Sequence, residues 1–125
     1  MTGIEILILL TLLFTKHFIV DFPLQTPYQY LNKGTYGHLG GVLHSWLHAI
    51  TTLVIVSFFT TPHIVLLAFV IDFVIHYHVD WAKVQINNRY QWGANTHKEF
   101  WILLGVDQFL HALTYILIAW IVLIY

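Results

Sequence analysis

The sequence predicts an all-α protein: a four-helix transmembrane bundle, up-down-up-down, with a short interfacial helix in its first loop. Three observations predict it. Hydrophobic residues make up 58 % of the chain and charged ones only 9 %, against roughly 25 % charged in a soluble domain. Four apolar stretches approach the ~20 residues that cross a bilayer as a helix. No stretch alternates with the period of a strand, and only helices or closed barrels satisfy the backbone in lipid. At 125 residues the chain is expected to be a single domain.

The first helix is expected over residues 4–22. Ile4 to Phe14 is broken only by Glu5 and Thr11, and Pro23 ends the run, because the residue before a proline avoids the helical region. The run lacks a basic leader and a small-residue cleavage site, so it reads as a retained helix and not a signal peptide. In the first loop, Thr26-Pro27 has the form of an N-cap followed by proline at the first helical position. Lys33-Gly34 has the form of the stop, and Tyr28, Tyr30 and Leu31 supply interfacial bulk.

The second helix is expected over 40–59 and the third over 63–83, joined by the turn Thr60-Thr61-Pro62. A polar loop over 84–96 follows. Thr96-x-x-Glu99 fits a capping box opening the fourth helix, 98–125. Trp46, Trp81, Trp92 and Trp101 all fall toward the loop-bearing side, as interface anchors do.

Composition excludes several chemistries. No cysteine is present, so disulfides, thiolate nucleophiles and iron–sulfur ligation are out. A net charge of -1 with five Lys and Arg residues leaves no footprint for nucleic acid. Nine histidines in so apolar a chain are the unusual feature.

Four pairs of these polar residues share one spacing. His17/Asp21, His44/His48, His76/Asp80 and Asp107/His111 are each i, i+4, which stacks two side chains on one helix face. Counted from the face holding the termini and the 60–62 turn, all lie 12 to 18 residues deep, about 18–27 Å at the helical rise. The chain reverses direction three times and the depth hardly changes, so the pairs are expected to form one site. Asp72 adds a further step below His76. Ionisable groups in a membrane helix face the bundle interior and need partners. A cation satisfies carboxylates and imidazoles together. The predicted ligands are therefore His17, Asp21, His44, His48, Asp72, His76, Asp80, Asp107 and His111. That count suits two or three divalent ions, zinc first, with iron or manganese sharing the donor set.

A run Lys16-His17-Phe18-Ile19-Val20-Asp21-Phe22-Pro23-Leu24-Gln25-Thr26 begins a further pattern. It is followed by His44-x-x-x-His48, His76-x-x-x-Asp80-x-x-Lys83 and Asp107-Gln108-x-x-His111. Together they resemble the domain-of-unknown-function 3307 family, small membrane proteins of bacteria and their phages. The resemblance spans nearly the whole chain and implies a bacterial or phage origin and the same polar residues. It implies no activity. Asp72 lies outside the motifs that carry it.

The function expected is a membrane-embedded metal-dependent hydrolase acting on a lipid or amphiphile headgroup. Asp80 or Asp107 would be the base. Lys16, Gln25, Lys83 and Gln108 would bind substrate. The alternatives are a di-iron or haem redox protein, and a metal-binding transport or interaction protein. All five cations lie on the site side. The positive-inside rule then makes that side cytoplasmic, in the bacterial inner membrane, with both termini outside. Membrane lipid is the expected partner, and homo-oligomerisation is left open.

Overall fold

The computed structural model describes residues 1–125 and is all-helical. The elements are α1 (Gly3–Asp21), α2 (Pro27–Tyr30), α3 (Leu39–Val56), α4 (Pro62–Tyr90) and α5 (Lys98–Ile124). The four long helices are each long and apolar enough to cross a membrane. They close a ring in which α1 packs on α3 and α5, and α4 packs on the same two; α2 lies against α3.

Local chemistry accounts for the helix ends. Thr2 caps α1 in a full capping box: its hydroxyl accepts from the Glu5 amide, and Glu5 accepts from the Thr2 amide. Thr26 is the N-cap of α2 with Pro27 at its first position, as the dipeptide predicts, although the Thr26 hydroxyl makes no capping bond. The chain then turns as far as Gly37, whose φ of 80° suits glycine. His38 caps α3 by accepting from the Gly40 amide at 3.0 Å.

Two expectations are corrected. Helix α4 runs on to Tyr90, two turns past Lys83, over ground expected to be loop. Nothing between Lys83 and Tyr90 breaks a helix. The polar residues there are held by tertiary contact: Gln85 donates to the Gly34 carbonyl at 2.6 Å, and Val84 abuts Gly34. The helix stops only where Gln91 turns left-handed ahead of Gly93. The capping box at Thr96 does not form. His97 is the N-cap, and the Thr96 hydroxyl bonds the His97 ring at 2.8 Å instead.

The interior is inverted relative to a soluble bundle. Of 30 buried residues only 13 are hydrophobic, and polar or charged ones outnumber them. Ile4, Leu7, Phe18, Leu66 and Phe109 are at least 59 % exposed, which only an apolar surrounding tolerates on this scale. The apolar core is a single cluster. Leu9 and Leu13 of α1 meet Val56 of α3, Ile64, Val65 and Ala68 of α4, and Tyr115, Ile118 and Val122 of α5. It occupies one half of the bundle and leaves the other half to polar groups.

Gly40 makes the close approach that docks the first loop. A Cβ there would collide with the Tyr28 carbonyl and reach the Asn32 side chain. Backbone cannot swing aside as a side chain can. Gly40→Val is predicted to destabilise the protein by about 1–3 kcal/mol through overpacking. A melting temperature in detergent equal to wild type would contradict this.

Candidate metal centre

The polar half is built from four i, i+4 rows, one per long helix, all facing inward. Asp21, His44, His48 and His76 each place one donor atom within 4.8 Å of the others, all buried. His76, Asp80 and His111 form a second such group. His76 belongs to both, so the two groups adjoin.

The separations are those of ligands around a cation. Asp21 Oδ1 lies 3.1 Å from His44 Nε2, 3.7 Å from His48 Nε2 and 3.9 Å from His76 Nε2. His44 Nε2 and His76 Nε2 are 3.2 Å apart. A tetrahedral ion with bonds of about 2.0–2.2 Å holds its ligand atoms about 3.3–3.6 Å apart. In the second group His76 Nε2 is 3.4 Å from Asp80 Oδ2, and His111 Nε2 is 3.2 Å from Asp80 Oδ1.

Hydrogen bonding shows why a cation fits. His44 Nδ1 lies 3.0 Å from Gln29 Oε1. An amide oxygen only accepts, so Nδ1 carries the proton. The other ring nitrogen, Nε2, faces Asp21, Asp80 and His76 Nε2, at 3.1, 3.3 and 3.2 Å. All of these atoms can give a lone pair to a cation placed among them. Unpartnered buried polar atoms are rare in native proteins. Here His48 Nε2 faces Asp21 Oδ1 at 3.7 Å without a hydrogen-bond partner, and Asp107 Oδ1 has none beyond its contact with His111 Nε2 at 3.3 Å. Asp80 Oδ2 has Lys33 Nζ at 2.8 Å but no aligned hydrogen-bond donor.

The other predicted ligands border these groups. His17 has both ring nitrogens engaged, Nδ1 with the Tyr115 hydroxyl and Nε2 with Gln108 Oε1, each at 3.0 Å. Asp107 Oδ1 is 3.3 Å from His111 Nε2. Asp72 sits apart from both groups. Its Oδ2 accepts from Lys16 Nζ at 2.7 Å and from the Thr52 hydroxyl at 2.5 Å.

The residues expected to bind substrate take distinct places. Lys16 is buried, and besides Asp72 it donates to the His48 carbonyl at 3.0 Å. Gln108 Nε2 donates to Asp21 Oδ2 and Asp107 Oδ2, at 3.0 Å each, while its oxygen meets His17. One amide thus links three of the predicted ligands. Lys83 pairs with Asp107 at 3.4 Å. Gln25 donates to the Asp21 carbonyl at 2.5 Å, and its buried oxygen has no partner.

Four contributors were not foreseen: Gln29, Lys33, Thr52 and Tyr115. Thr52 and Tyr115 continue the α3 and α5 rows by one i, i+4 step, from His48 and His111, and extending those rows finds them; Gln29 and Lys33 lie in the first loop, on none of the four rows. Lys33 is the largest surprise. Expected as a helix stop, it is buried, with its ammonium on Asp80. Lys16 and Lys33 therefore neutralise internal carboxylates, while Arg89 and Lys98 are exposed.

A model of the family described as "Protein of unknown function (DUF3307)" matches residues 9–125, nearly the whole chain. The chain belongs to the DUF3307 family. The match takes in all four rows of this DUF3307 protein, and its description assigns no activity. No curated protein and no solved structure matches the chain.

The Lys16–Asp72 pair yields a prediction. Removing one partner of a buried ion pair costs about 3–5 kcal/mol, while replacing both with apolar residues is often neutral. Lys16→Met is predicted to destabilise strongly, and Lys16→Met with Asp72→Leu to recover most of the loss and keep wild-type metal content. A double variant as unstable as the single one would show that the pair does more than neutralise itself.

Proposed function

We propose that this DUF3307 protein is a membrane-embedded metal-dependent hydrolase acting on the headgroup of a lipid or other amphiphile. One observation carries the reading: three imidazoles and one carboxylate from α1, α3 and α4 converge on one buried point at ligand spacing. Mixed nitrogen and oxygen donors without sulfur suit zinc, and iron and manganese accept the same set. The two groups support two ions, with Asp107 beside His111 extending the second.

A bound divalent ion supplies Lewis-acid activation of water and of the scissile group near neutral pH. Asp107 is the better placed of the two predicted bases. Its buried Oδ1 has His111 Nε2 alone beside it, at 3.3 Å, while Lys83 and Gln108 hold its Oδ2. Asp80 is engaged on both oxygens by His111, His76 and Lys33. Gln108 fixes the angle between Asp21 and Asp107, and Gln25 leaves an acceptor for a substrate hydroxyl.

The apolar cluster of Leu9, Leu13, Val56, Ile118 and Val122 supports an enzyme over a transporter, because it offers an ion no polar path toward the far face. With alternating helix directions, the loop-bearing face carries Arg89 and Lys98 and is the cytoplasmic one by the positive-inside rule. Both termini then lie outside the bacterial inner membrane.

The test is turnover of a panel of lipid esters, phosphoesters and amides by protein purified in detergent and loaded with zinc. Activity is expected to vanish with chelator and return with the ion. Asp107→Asn is expected to lower the rate about 10²–10⁴-fold while holding the ion of the Asp21, His44, His48 and His76 group. Absence of chelator-sensitive turnover across the panel would reject the hydrolase, and a Soret band in the purified protein would replace it with a haem protein.

A further inference from the structure

Two cavities meet beside the centre. The first, about 260 Å³, lies under the first loop and takes Gln25, Lys33, Lys83 and Asn87 into its lining, with Phe100 and Leu104 opposite. The second, about 250 Å³, is a groove between α4 and α5 lined by Val79, Ala82, Ile86, Val106 and Leu110. Lys83 and Leu103 line both. Alone, each falls short of the ~300–1,000 Å³ of a small-molecule site; a ligand passing between Lys83 and Leu103 would occupy both.

We propose that the joined cavities bind an anionic, hydroxyl-bearing amphiphile, its headgroup in the cleft and one acyl chain in the groove. The inference names the substrate class of the hydrolase proposed above and rests on that reading. Three features of the lining select this ligand.

The first is charge. Lys33 and Lys83 line the cleft while touching Asp80 and Asp107, at 2.8 and 3.4 Å. An anion held by these ammonium groups therefore sits against the centre. Four carboxylates (Asp21, Asp72, Asp80, Asp107) face three ammonium groups (Lys16, Lys33, Lys83). The carboxylates outnumber the ammonium groups by one, and a divalent ion bound among them would reverse that balance. A loaded centre draws an anion.

The second is hydrogen bonding. Gln25 Oε1 and Asn87 Oδ1 are buried acceptors with no donor. Their amide nitrogens are already spent on the Asp21 and Trp92 carbonyls. A phosphate or carboxylate alone cannot donate to either oxygen; hydroxyls beside the anion would supply the donors once these side chains turn toward the cleft. The third is the groove, which is apolar except where Lys83 and Asp107 close its inner end and His78 borders it. A chain lying there continues directly from a headgroup at Lys83.

Native mass spectrometry of the metal-loaded protein reads ion count and lipid adducts in one spectrum. The probes are lysophosphatidylglycerol, lysophosphatidylcholine and soluble glycerol phosphate. The anionic lipid is expected to bind about tenfold more tightly than the zwitterionic one, the worth of a charge-assisted hydrogen bond, and glycerol phosphate more weakly than either. Asn87→Asp, which leaves Lys83 and Asp107 untouched, is expected to abolish the anionic preference. Leu103→Trp is expected to weaken both lipids by blocking the junction, with ion count unchanged in each variant. Equal binding of the two lipids, glycerol phosphate binding as well as the lipids, or insensitivity to both substitutions would each overturn the proposal. An ion-free protein that keeps the anionic preference would reject the hydrolase and support the lipid site.

Discussion

The structure depends on one electrostatic constraint. Carboxylates and imidazoles crowd into the interior of a bundle whose outside is apolar. Water is not there to solvate them, and an uncompensated charge in such a place costs several kcal/mol. Every other polar feature answers that demand. Lys16 answers Asp72 at 2.7 Å and Lys33 answers Asp80 at 2.8 Å. The Gln108 amide spans Asp21 and Asp107. Where Asp21, His44, His48 and His76 meet, four buried donor atoms stand together, and a divalent ion there would complete the balance.

The supporting groups also set orientation. A ligating histidine ordinarily has its remote nitrogen held by an acceptor, which fixes tautomer and ring angle. Gln29 does this for His44 from the first loop. The loop is itself seated by Lys33 on Asp80 and by Gln85 on Gly34. The first loop and the extension of α4 thus belong to the centre's architecture. They roof it, and the cleft lies between them and α5.

Much of this was legible in the sequence because membrane helices obey few rules. Length, hydropathy and Pro23 placed α1 to within a residue at each end. The i, i+4 pairs and their common depth brought together residues from four helices. The extension of α4 was not legible: helix past Lys83 is set by Val84 and Gln85 against Gly34, contacts distant in sequence. Asp72 shares the spacing of its neighbours yet pairs with Lys16, because one more step down the helix carries it to the depth of Lys16 and Thr52. Lys33 was expected only as a helix stop, since nothing local reveals that its loop folds back over Asp80.

The central claim is that the converging His/Asp side chains hold a metal ion. Elemental analysis of protein purified in mild detergent tests it most directly, on wild type and on His44→Ala with His111→Ala. The account predicts at least one tightly held divalent ion per chain in wild type. It predicts near-complete loss in the double variant, with helical content unchanged by circular dichroism. Wild-type protein with only trace metal, after growth and purification without chelator, would contradict it.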